Sequence, residues 1–151
     1  MLLIYNKKVY IKQILIIFAL ITTVVSQKGR EQIMPKKESQ VELHLIDLAT
    51  KYLSRFENKD LIAIEKMFAK NVSLIDWEIK ADGIEEVLKV NENIFKTIKT
   101  IKINIENIYC DNKAIIAELS IIINNGAPLS VIDIIEFDNE NNIKEIRAYK
   151  Q

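Results

Sequence analysis

The sequence predicts an α+β domain in which three N-terminal helices pack on a long, curved antiparallel β-sheet. Two patterns and one bound lead there. From about Ser39 to Ile98, apolar residues recur at helical spacing in segments that open on cap signals, with one strand-like interruption. From Ile101 onward the period changes to two, with turn residues at hairpin spacing. At 151 residues the chain has mass for one core and no room for a second.

Residues 1–33 differ in character from the rest of the chain. Lys7, Lys8 and Lys12 precede an apolar run, Ile14 to Val25, and Val24-Val25-Ser26 then supplies a small-residue cleavage site before Gln27. This fits a signal peptide, and the run is shorter than the roughly 20 residues of an ordinary spanning helix. Met34-Pro35-Lys36-Lys37 reads equally well as the start of a protein without that leader. Either way the domain is expected over residues 34–151. It is exported or membrane-anchored through residues 1–26 if the leader is translated, and cytoplasmic if Met34 is the true start. Without the leader, which holds five basic residues against Glu31 alone, the domain is mildly acidic.

Ser39-Gln40-Val41-Glu42 is a capping box. After it Leu45, Leu48, Ala49, Tyr52, Leu53 and Phe56 repeat at helical spacing, which predicts a first helix from Ser39 to Glu57. Asn58-Lys59-Asp60 breaks it, and Asp60 caps a second, short helix whose apolar side carries Leu61, Ile64, Met67 and Phe68. Val72 to Ile79 alternates loosely as a strand. Asp82 followed by Glu85 repeats the capping signal and opens a third helix through Ile84, Val87, Leu88, Ile94 and Phe95 to about Ile98.

Beyond it the chain reads as antiparallel sheet throughout. Ile101, Ile103 and Ile105 alternate with Lys102, Asn104 and Glu106, and the phase slips at Asn107 as at a bulge. Cys110-Asp111-Asn112-Lys113 is a turn, Ala114 to Ile123 is apolar on both faces, and Asn124-Asn125-Gly126 turns again. Leu129 to Phe137 and Ile143 to Tyr149 form the last hairpin around Asp138 to Asn142. Helices can cover only one side of such a sheet, so a cavity between the layers is the natural ligand site.

Composition excludes several function classes. The chain is 49% hydrophobic and 28% charged with zero formal net charge, which is that of an ordered globular protein. One cysteine, Cys110, and one histidine, His44, provide neither a disulfide framework nor the spacing of a metal site. There is no glycine-rich phosphate loop, no nucleophile elbow and no basic cluster beyond Lys36-Lys37, so neither nucleic acid nor nucleotide is expected as a partner.

Two carboxylates need a reason, because burying one unpaired is costly. Asp76 lies within VSLIDWEIKADG, Val72 to Gly83, in what reads as a short strand, and Asp133 lies among β-branched residues in LSVIDIIEFD, Leu129 to Asp138. Val131, Asp133, Ile135 and Phe137 share one strand face; if that face is the concave one, Asp133 enters the cavity. Tyr52, among Leu48, Leu53 and Phe56, should turn its ring toward the sheet with its hydroxyl seeking a partner. Each residue also has a plain reading: the tyrosine as core, the aspartates as turn or solvated-edge residues.

The order of elements over residues 39–150 resembles the nuclear-transport-factor-two-like superfamily, with its SnoaL-like polyketide cyclases and ketosteroid isomerases. TKYLSRFENKDLIAIEKMFAKNVSLIDW, Thr50 to Trp77, is similar to the isomerases' first two helices and first strand without a gap, and VIDIIEFDNENNIKEIRAYK, Val131 to Lys150, to their final hairpin. The resemblance implies a cone with an internal pocket. It also implies that Tyr52 matches the oxyanion-binding tyrosine, Asp76 the general base on a strand closing the cavity from the side, and Asp133 the acid donating beside the tyrosine. Trp77 stands where the isomerases carry proline, and Asn91 falls near a tyrosine that supports the oxyanion hydrogen bonds.

Three functions are then expected as alternatives. One is a cofactor-free isomerase or cyclase acting by acid/base chemistry on a small apolar carbonyl compound, with Asp76, Tyr52 and Asp133 catalytic and Trp77, Phe56, Phe95, Val131 and Ile135 lining the pocket. Another is a module that binds such a molecule without turning it over. The last is assembly, with Ile132, Ile134 and Ile146 on the outer sheet face pairing two copies into a homodimer, which is compatible with both of the others.

Overall fold

The computed structural model describes residues 39–151. The leader expected over residues 1–33 and the start expected at Met34 lie outside the described residues. The elements are α1 (Gln40–Glu57), α2 (Leu61–Glu65), β1 (Phe68–Ile75), β2 (Lys80–Asp82), α3 (Ile84–Thr97), β3 (Ile101–Asp111), β4 (Ala114–Ile123), β5 (Leu129–Phe137) and β6 (Ile143–Lys150). Helices and a curved, unclosed six-stranded sheet make the α+β architecture.

The expected capping box forms: Ser39 Oγ accepts from the Glu42 N–H at 3.2 Å, and Glu42 Oε2 accepts from the Ser39 N–H at 2.6 Å. The inward stripe of α1 is Leu45, Ala49, Tyr52 and Leu53, all buried. A cap contributes about 1 kcal/mol, whereas each buried leucine contributes about 1.5–3 kcal/mol, so burial rather than capping seats this helix. Lys59, at φ 56, reverses the chain, and Asp60 caps α2 through the Ala63 N–H.

The second helix stops at Glu65, short of the Met67 and Phe68 expected on it, and β1 starts at Phe68 rather than Val72. The reason is tertiary: the Ile143 N–H donates to the Met67 carbonyl at 2.8 Å, and Phe68 pairs with Ile143. Pairing with β6 thus overrides local helix propensity. This β1–β6 pairing is parallel, which corrects the expected all-antiparallel sheet; the strand order is β2-β1-β6-β5-β4-β3.

The expected cap at Asp82 is also replaced. Asp82 pairs with Ser73 as the last residue of β2, and α3 opens on Gly83 at φ 90, a conformation L side chains rarely adopt. The slip expected at Asn107 is a register shift between Ile105 and Asn107. The four asparagines Asn112, Asn124, Asn125 and Asn141 take positive φ in the hairpin turns, as their short polar side chains allow.

Among the described residues, α1 and α3 pack on the sheet. Leu45, Leu53 and Val87 join Ile115, Leu119, Val131 and Ile135 in one core cluster. Ile146, expected on the outer face, pairs with Ile135 and is buried in that cluster. The phase of β6 changes between Ile143 and Ile146, where the β5–β6 register shifts, so both isoleucines point inward. Ile132 and Ile134 do alternate to the other side of β5.

Lys59 ties the far end of α3 to the α1–α2 turn, its Nζ donating to the carbonyls of Phe95 (3.2 Å), Lys99 (2.9 Å) and Ile98. Lys59→Met should therefore lower stability by about 1–2 kcal/mol, read from the urea midpoint at unchanged slope.

Candidate active site

A cavity of about 280 Å³ opens between the helices and the inner face of the sheet. Its walls are mainly aliphatic, drawn from Leu53, Ile94, Ile103 and Ile121 among others, and its polar lining is Tyr52, Asp76, Glu78, Asn91 and Asp133. The three residues expected to act together therefore line one cleft.

Asp133 sits mid-strand on β5, opposite Ala117 on β4 and Ala148 on β6. Two small neighbours leave the space above the carboxyl open, and Val131 and Ile135 close it along the strand. Part of the carboxyl surface reaches the cavity while protein surrounds the rest, and no cation among the described residues neutralises it. Desolvation, followed by repulsion from Asp76, raises its pKa to about 7.

Tyr52 projects from α1, 4% exposed, with Phe56 and Phe68 at ring-centroid distances of 6.2 and 5.9 Å. Burial, reinforced by Asp133, pushes its hydroxyl pKa up, so it stays a donor. Neither the Tyr52 hydroxyl nor the Asp133 carboxyl makes a hydrogen bond to another described residue. An oxygen entering the cavity meets two donors that the protein has not used.

Asp76 corrects the expectation of a carboxylate within a strand. It follows the end of β1, and its Oδ1 accepts from the N–H groups of Glu78 (2.7 Å) and Ile79 (2.6 Å), while its own N–H donates to the Ile79 carbonyl at 2.9 Å. This side-chain turn aims the group at the cavity rim and leaves Oδ2 without a hydrogen bond among the described residues. Trp77 stands next to it, 45% exposed.

Of the expected lining residues, Trp77, Phe56 and Val131 are in place. Phe95 and Ile135 are not. Phe95 packs edge-on behind Phe56, at a centroid distance of 5.0 Å, and Ile135 is sealed in the core beneath the cavity. Asn91 was not among the expected lining residues. Its signal was visible, since it interrupts the apolar stripe of α3 that runs through Val87, Leu88 and Ile94. Among the described residues no group of three His, Cys, Asp or Glu side chains is placed to hold a metal.

No protein-family model and no curated protein matches the sequence. Solved structures do match the fold. A candidate SnoaL-like polyketide cyclase from Jannaschia sp. CCS1 superposes with a TM-score of 0.67 at 10% identity, over 77% of this chain and 91% of that one. An epoxide hydrolase from M. tuberculosis, of the LEH-like type, gives 0.63 at 16% identity over 73% and 84%. A candidate ketosteroid isomerase from Kribbella flavida gives 0.62 at 10% identity over 73% and 79%. At these identities the likeness establishes the fold alone.

Between about pH 4 and 7 the folded protein holds a proton on Asp133 that the unfolded chain has released, so this group lowers stability as pH rises through that window. Asp133→Asn should accordingly stabilise the protein at pH 8, on the order of 2–4 kcal/mol, with the gain shrinking toward pH 4. Denaturant unfolding of both proteins across the range checks it.

Proposed function

The chain has the fold of the nuclear-transport-factor-two-like superfamily, and on that scaffold we propose a cofactor-free enzyme that shifts a proton next to a carbonyl group of a small, apolar cyclic compound. The curved sheet and its helices would form a cone with the cavity as its ligand pocket. The observation that carries the reading is the pair of unused donors, Tyr52 and a protonated Asp133, in an apolar cleft that also holds the Asp76 carboxylate.

In this mechanism the carbonyl oxygen accepts hydrogen bonds from the Tyr52 hydroxyl and the Asp133 carboxyl. Asp76 Oδ2 takes a proton from the adjacent carbon, the electron pair moves onto the oxygen as an enolate, and Asp76 returns the proton at another carbon. The two donors stabilise charge that develops only along the reaction, in a cleft with mainly apolar walls. The rigid turn around Asp76 holds the base in position.

Size narrows the substrate. A cavity of about 150 Å³ holds benzene, so 280 Å³ suits a ligand of roughly ten to twelve heavy atoms, too few for a whole steroid nucleus. One observation favours a second reading, binding without turnover: Asp76 commits Oδ1 to its own turn, which leaves a single oxygen to take part in any proton transfer. A second copy of the chain is the proposed partner of the outer sheet face, where Ile132 and Ile134 lie opposite the helices.

Cyclic β,γ-unsaturated ketones of this size, followed by the absorbance of the conjugated product, provide the test. Turnover should fall about 10²–10⁴-fold in Asp76→Asn while a phenol, as an enolate mimic, still binds. The wild-type rate should fall as pH rises through about 7, where Asp133 loses the proton it donates. Phenol binding with no turnover of any ketone would favour the second reading. For the dimer, Ile134→Lys should convert it to monomers in sedimentation velocity, and a monomeric wild type would rule the dimer out.

A further inference from the structure

Asn91 is unexplained by the chemistry above. It is 1% exposed, lines the cavity from α3, and its Nδ2 has no hydrogen-bond partner among the described residues. Leaving such a donor buried and unsatisfied costs about 1–3 kcal/mol, and few occur in native proteins. Packing does not call for it, because its neighbours on the same stripe, Val87 and Ile94, are aliphatic, and leucine has the same branched outline without the polar atoms.

We propose that the Asn91 carboxamide is a specificity element that binds a second oxygen on the ligand, so that the natural ligand is a dioxygenated ring compound rather than a simple ketone. This rests on the Tyr52–Asp133 pair holding the first oxygen. The elements that carry the two anchors lie apart: α3 packs over β1 and β2, whereas Asp133 lies on β5. Two strand spacings separate β5 from β1, about 10 Å across the sheet. The two polar anchors thus address different ends of a molecule whose middle meets a mainly apolar lining. A carbonyl, ether or hydroxyl oxygen satisfies the carboxamide, and a ligand with hydrocarbon there leaves it orphaned, which is how a buried polar group rejects an analogue lacking its partner.

Trp77 is the only tryptophan in the chain and stands at the cavity rim, so its fluorescence reports occupancy. The probes are 2-naphthol, with one oxygen, and 2,6-dihydroxynaphthalene, with one at each end. The wild type should bind the second about 5–10-fold more tightly, the effect of one hydrogen bond to a waiting donor. Asn91→Leu should reduce that ratio to near one and raise the urea midpoint, and Asn91→Ala should reduce the ratio even if the leucine is poorly accommodated. Tyr52→Phe should weaken both probes and leave the ratio intact. A wild-type ratio near one, or a ratio that survives in both Asn91 variants, overturns the proposal while leaving the first anchor standing. Failure of Tyr52→Phe to weaken either probe, or no quenching by either in the wild type, overturns the reading beneath it as well.

Discussion

A carboxyl group held on the buried face of β5, with no cation beside it among the described residues, is the constraint around which this structure is arranged. Sheet geometry puts it there: on a strand buried on one face, Asp133 must point wherever Val131, Ile135 and Phe137 point. Moving it to solvent would take a one-residue register slip that exposes all three. The protein instead accommodates the group with Ala117 and Ala148 on either side and an open cavity above. A neutral acid is the cheapest state in that setting, and a neutral acid is a hydrogen-bond donor.

The helices were legible where one face alone decides them. The capping box at Ser39 and the stripe of α1 are local signals, and the asparagines of the hairpin turns carry their own conformational preference. What failed was set by distant strands. Phe68 joins β1 because β6, some 75 residues later, offers it a partner at Ile143, and Ile146 turns inward because the last hairpin shifts register. No window of the sequence holds both halves of either pairing.

The candidate site divides along the same line. Tyr52 and Asp133 could be placed from periodicity, since a helix stripe and a strand face each state which side is buried. Asp76 could not, because its place in the cleft depends on a turn built from its own side chain after β1 has ended. Phe95 and Ile135 show how far strand and helix faces can be trusted: sharing a side with the cavity differs from reaching it when Phe56 or the core stands between. Asn91 broke an apolar pattern, which marks either an error in the assignment or a functional position.

The fold leaves the chemistry open, since cyclase-like, isomerase-like and epoxide-hydrolase proteins share it at identities of 10–16%. What differs among occupants of one scaffold is which polar groups interrupt an otherwise apolar cavity. Here the interruptions come from α1, α3, β5 and the turn after β1, four segments whose positions are fixed by separate contacts with the core. Each group can therefore change without unseating the others, and the cavity's hydrocarbon walls make each change count, because a hydrogen bond made or lost there is not replaced by water. The selectivity of such a site lies less in its shape than in the number and spacing of the donors it leaves unpaired.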